Sequence, residues 1–107
     1  MSHIVIVKGN SKWVNDPEFK PMADRFYQDI SKKLQAKGHT VELDPGEPYT
    51  LPNTKADVWL AHSRGVDRLQ YAPKRIKTWE LQTRAWPHDD PDHYKLSLAD
   101  LAFINSL

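Results

Sequence analysis

Val58-Trp59-Leu60-Ala61-His62-Ser63-Arg64-Gly65 is the stretch on which the fold turns. Its first four residues are apolar without alternation, the mark of a strand buried on both faces, as inner strands of parallel sheets are. Val66-Asp67-Arg68-Leu69 then switches to an amphipathic pattern. The change of period puts Ser63 at a strand-to-helix junction. Ala61 and Gly65 flank it with small side chains, as so sharp a turn requires, and such a turn lifts the serine hydroxyl clear of the backbone. Serine is also a preferred helix N-cap, so the same residue has a purely structural reading.

Working outward, Ile4-Val5-Ile6-Val7 is a second continuous apolar strand, ending at Gly9-Asn10. Asp16-Pro17 and Pro21 offer helix-start chemistry. Met22, Phe26, Ile30 and Leu34 follow at i, i+4 spacing, with Ala23 and Tyr27 widening the stripe. Gly38 stands just past the last periodic position, preceded by Lys32, Lys33 and Lys37, where cations suit a helix C-terminus. Thr40 to Leu43 alternates and predicts a half-exposed strand. Asp44 to Thr54 holds three prolines and a glycine and predicts a loop. Arg64 to Tyr71 predicts a short helix stopped by Pro73, and Ile76 to Leu81 a fourth, alternating strand. Ser97-Leu98-Ala99-Asp100 resembles a capping box that opens a last helix through Leu101, Ala102 and Ile104.

Two apolar strands belong inside a sheet and two alternating strands at its edges. Right-handed crossovers then give the order 2-1-3-4. The expected fold is α/β: one domain over residues 1–107, a three-layer sandwich with a small, mainly parallel four-stranded sheet and helices on both faces. Ile4–Val7 and Val58–Ala61 lie side by side in its centre. The loops Gly9-Asn10-Ser11 and His62-Ser63-Arg64 become neighbours at the carboxyl edge, where the strand order reverses and open α/β sheets bind ligands.

A chain of 107 residues has room for one modest core. Apolar residues make up 39% and charged residues 27%, the composition of a globular protein. Fifteen basic side chains nearly cancel fourteen acidic ones, and no basic stripe stands out, which argues against a nucleic-acid partner. With no cysteine, disulfides, thiolate nucleophiles and cysteine-ligated zinc are excluded. The four apolar residues after Met-Ser-His are too few for a signal peptide or a membrane span, so no membrane partner is expected and the default setting is the cytoplasm. Lys8-Gly9-Asn10-Ser11-Lys12 could cradle a phosphate on backbone amides, but it has neither P-loop spacing nor the dinucleotide fingerprint. No cofactor is expected, and nothing in the sequence sets an oligomeric state.

At these residues the chain resembles a pared-down α/β-hydrolase. Ile4-Val5-Ile6-Val7-Lys8-Gly9-Asn10-Ser11 is similar to the family's apolar strand followed by His-Gly-x, with Lys8 standing where histidine is usual. Ala61-His62-Ser63-Arg64-Gly65 is similar to the nucleophile elbow Gly-His-Ser-x-Gly, with alanine in first place. The resemblance implies Ser63 as nucleophile, with the N–H groups of Asn10 and Arg64 as the oxyanion hole. Ala61, His62 and Gly65 shape the elbow, His62 packing or hydrogen bonding beside the turn. Asp92-His93-Tyr94, ahead of a closing helix, resembles the family's histidine loop and implies His93 as general base. The chain is less than half the family's usual length, and the acids at hand are Asp89, Asp90 and Asp92. Asp90 precedes Pro91, which biases it to extended backbone. It is the preferred orienting acid, with Asp89 second.

His88, Asp89, Asp90, Asp92 and His93 also have a metal-like composition, without the helical spacing of an HExxH site. Pro87 and Pro91 favour a hydrated turn there, ahead of the triad histidine and of a metal site, and no metal is expected. Trp13, Trp59, Trp79 and Trp86 read as core or rim packing, with Trp13 and Trp86 flanking the expected site. The function expected is acyl hydrolysis of a small-molecule ester or thioester by a Ser-His-Asp arrangement. The alternative is a non-catalytic α/β-hydrolase-like binding or interaction module.

Overall fold

A computed structural model of the chain describes residues 2–8, 17, 20–44, 50–82 and 96–107. Its elements run β1 (His3–Lys8), α1 (Lys20–Ala36), β2 (Thr40–Asp44), β3 (Val58–His62), a 3-10 helix (Ser63–Tyr71), β4 (Lys77–Glu80) and α2 (Leu98–Ser106). The four strands form one sheet in the order β2-β1-β3-β4. Every pairing is parallel, with Ile4 opposite both Val41 and Val58, and Val58 opposite Lys77. The unbroken apolar strands are the inner pair and the alternating strands the edges, because only an inner strand must bury both faces.

Side chains alternate across each strand, so the sheet carries two cores. Ile4, Ile6, Val58 and Leu60 meet Ala23, Phe26, Tyr27, Ile30 and Leu34 of α1 and Ile104 of α2. Val5, Val7, Trp59 and Ala61 meet Ala56, Ile76 and the 3-10 helix residues Val66 and Leu69. Helices thus lie on both faces, but unequally. Among the described residues both α-helices cover one face, and the second is covered by a 3-10 helix of nine residues. The fourth strand is shorter than its alternation predicts, Lys77–Glu80, with Ile76 and Leu81 buried at either side.

Local chemistry explains the helix ends. Gly38 takes φ 91°, a left-handed conformation that costs a side-chain-bearing residue. Its N–H reaches Gln35 O at 3.0 Å and that of His39 reaches Leu34 O at 3.2 Å, closing α1 with a Schellman motif. His39 then joins distant segments: its Nδ1 accepts from Ser2 N–H at 3.0 Å, leaving Nε2–H to donate to Leu107 O at 3.1 Å. Ser97 caps α2, its Oγ accepting from Asp100 N–H at 3.1 Å, as the capping pattern predicts. The Asp100 carboxylate accepts from Trp79 Nε1–H and Gln82 N–H, pinning α2 to the end of β4. Trp79 stacks on Phe103 with ring centroids 4.5 Å apart. Among the described residues, no helix is long and apolar enough to cross a membrane.

Candidate functional site

The carboxyl edge of the inner strands is built by the last residue of each. Lys8 ends β1 and is the register partner of His62, which ends β3. Partners in a parallel ladder point to the same side, and His62 packs against Phe26 and Tyr27, so both side chains leave the sheet on the α1 face. The His62 ring is fully buried, 5.0 Å from the Phe26 ring centroid and edge-on to Tyr27. The Tyr27 hydroxyl is 2.7 Å from its Nδ1.

Ser63 follows with no intervening loop, as the first residue of the 3-10 helix. His62 is the N-cap, extended at φ −126° and ψ 139°, and its side chain makes no capping bond. The first turn of this helix carries no acidic residue, and neither does that of α1. Helix N-termini bear partial positive charge, and neither of these two is offset by an acid within its own first turn. Ala61 and Gly65, the small residues either side of Ser63, are buried, as a sharp strand-to-helix junction needs.

On the opposite face of the sheet, Asp44 at the end of β2 forms an ion pair with Arg68 of the 3-10 helix; their side chains are 10% and 15% exposed. Arg68 Nη2 also donates to Thr50 O at 2.7 Å. The pair ties the 3-10 helix to the edge strand β2, with a preorganised guanidinium as the link. Its spacing, 24 residues apart in sequence, gave no local signal. Tyr27, read in the sequence as one more residue of an apolar stripe, is likewise a polar partner of the site.

The residues expected to act together divide between described and undescribed segments. Ala61, His62, Ser63, Arg64 and Gly65 stand at the junction predicted for them. Asn10, Asp89, Asp90, Asp92 and His93 lie outside the described residues, as do Trp13 and Trp86. Among the described residues, no group of three His, Asp or Glu side chains could hold a metal ion. A groove of about 310 Å³ opens elsewhere, between α1 and β2, where Tyr27, Gln28, Ser31 and the exposed Leu43 line it. Compared with protein families, curated proteins and solved structures, the chain matches none.

Proposed function

We propose that this chain is a small serine hydrolase acting on an ester or thioester at the carboxyl edge between β1 and β3. One observation carries the reading: Ser63 starts a helix directly at the end of an inner strand, where the strand order reverses. Ser63 Oγ attacks the acyl carbon while His93 takes its proton and passes it to the departing alcohol or thiol. Water then cleaves the acyl-serine with the same base. Asp90, or Asp89, orients the imidazole, and the N–H groups of Asn10 and Arg64 hold the developing oxyanion. One such donor is worth about 2.7–4 kcal/mol to the transition state. On this reading the protein acts in the cytoplasm.

A fluorophosphonate probe tests the nucleophile. Wild type should label and Ser63→Ala should not; equal labelling of the two discards the hydrolase. The second reading, a non-catalytic binding module on a hydrolase-like scaffold, draws on a different observation. Two side chains at the strand ends are committed to internal bonds, Asp44 to Arg68 and His62 to Tyr27. Under that reading Ser63 is a helix-start serine and its alanine variant binds ligand unchanged.

A further inference from the structure

We infer that Thr40, His3 and Glu42 form a second acyl-transfer site, in which Thr40 Oγ takes an acyl group from an activated ester or thioester. His3 begins β1 and Thr40 begins β2, as register partners at the amino edge of the sheet, the end opposite Ser63. His3 Nδ1 lies 2.7 Å from Thr40 Oγ, and its Nε2 lies 2.9 Å from Glu42 Oε1. A hydroxyl within reach of a base, with that base oriented by a third group, is the general form of an activated nucleophile. The Glu42 carboxyl is held below its usual value, chiefly by the bond from His3 and next by that from Asn53, so it stays a carboxylate and can only accept. Nε2 therefore carries the hydrogen, and the neutral imidazole turns its bare Nδ1 to the threonine hydroxyl. The other contact of that hydroxyl, to Ser2 O at 3.5 Å, is too long to compete for its proton.

The row is held from outside. The His3 backbone is clamped by Asp57, which accepts its N–H at 2.8 Å on Oδ2 and donates its own N–H to His3 O at 2.8 Å. Asn53 Nδ2 donates to Glu42 Oε1 at 3.2 Å, and Asn53 is fixed in turn by bonds from Lys55 N–H and Trp59 Nε1–H. The His3 and Glu42 side chains are 33% and 42% exposed, so their pairing adds little to stability, and Thr40 is open to an incoming acyl donor. In the reaction Thr40 Oγ attacks the acyl carbon as its proton passes to His3 Nδ1, and Glu42 balances the imidazolium. The bond from acyl carbon to leaving group then breaks, and the alcohol or thiol departs with that proton. Water, activated by the same base, hydrolyses the acyl-threonine. A positioned base contributes about 10²–10⁴-fold, which suits an acyl donor that already has a good leaving group. The methyl on Cβ of Thr40 crowds attack at tetrahedral phosphorus more than at a planar acyl carbon, so this site takes esters and not the fluorophosphonate probe. The inference does not rest on the Ser63 reading.

The experiment treats the full chain carrying Ser63→Ala with p-nitrophenyl acetate, following p-nitrophenolate release and mapping acetylated peptides by mass spectrometry. The exposed Thr54 serves as internal reference. Thr40 should be acetylated faster than Thr54, and release should fall when Thr40→Val is added to this background. If the acetyl-threonine turns over, Thr40-dependent release continues beyond the amount of protein present. His3→Gln should slow the Thr40-dependent rate about 100-fold, the scale of a general base. Glu42→Gln should slow it about tenfold or more, because an amide neither fixes the tautomer nor balances the imidazolium. Thr40→Ser should restore what Thr40→Val removes, with circular dichroism confirming that each variant folds. Release that persists in Thr40→Val, with Thr40 modified no faster than Thr54, overturns the inference, and so does a Thr40-dependent rate that ignores His3→Gln. Because Ser63 is absent throughout, its failure as a nucleophile and the failure of Thr40 are read separately.

Discussion

Tyr27 contributes a ring to the α1-face core and a hydroxyl to His62 Nδ1, and both residues are buried. Tyr27→Phe keeps the ring and removes the hydroxyl that bonds the imidazole nitrogen. The expected cost is about 1–3 kcal/mol, the penalty for a buried polar group that loses its partner, read as a lower urea midpoint at unchanged slope. Glu42 shows a weaker, exposed version of such a contact. The hydrogen bond from His3 holds its carboxyl below the usual value, with a second from the Asn53 amide and a small opposing effect of burial. A depressed carboxyl pKa stabilises the fold above the ordinary value and ceases to do so as pH falls through the folded value. The stability gap between wild type and Glu42→Gln should therefore close as pH falls below about 4.5, as pH-dependent urea titrations would reveal. The effect is modest, since the Glu42 side chain is 42% exposed.

Among the elements, the 3-10 helix depends most on a single tie. Its apolar side offers Val66 and Leu69 to the second core, and Arg68 clasps Asp44 across the sheet edge. Arg68→Ala leaves a mostly buried carboxylate without its guanidinium, for an expected loss of about 3 kcal/mol. Hydrogen exchange should show that loss first in residues 63–71, ahead of α1; uniform acceleration across the chain would contradict the clasp. Element types were legible where one force dominated. The Met22–Leu34 stripe, Gly38 and Ser97 each announce a single local rule, and each element appears where its rule puts it. The ends of β4 were less legible, because Ile76 and Leu81 continue the alternation while sitting just outside the ladder. Contacts such as Arg68 to Asp44 and His39 to Leu107 were not legible at all. They join residues whose proximity exists only after folding, and no local pattern encodes it.

For the whole molecule, strand order was readable because burial on two faces and burial on one leave different periodicities. The same logic located the carboxyl edge, and Ser63 with it, while the proposed triad depends on bringing together Ser63 and His93, 30 residues apart in sequence. One property of that order reaches beyond the folded state. β1 precedes β3 in sequence, yet the two are the inner pair of the sheet, and Ile4 needs Val58 as a neighbour. During synthesis Ile4-Val5-Ile6-Val7 must wait for β3 with its hydrogen-bonding edge open, and parallel ladders with no hairpins form slowly. This apolar stretch therefore stays exposed on the ribosome until β3 has emerged, which makes the nascent chain, rather than the finished fold, the point at which aggregation threatens.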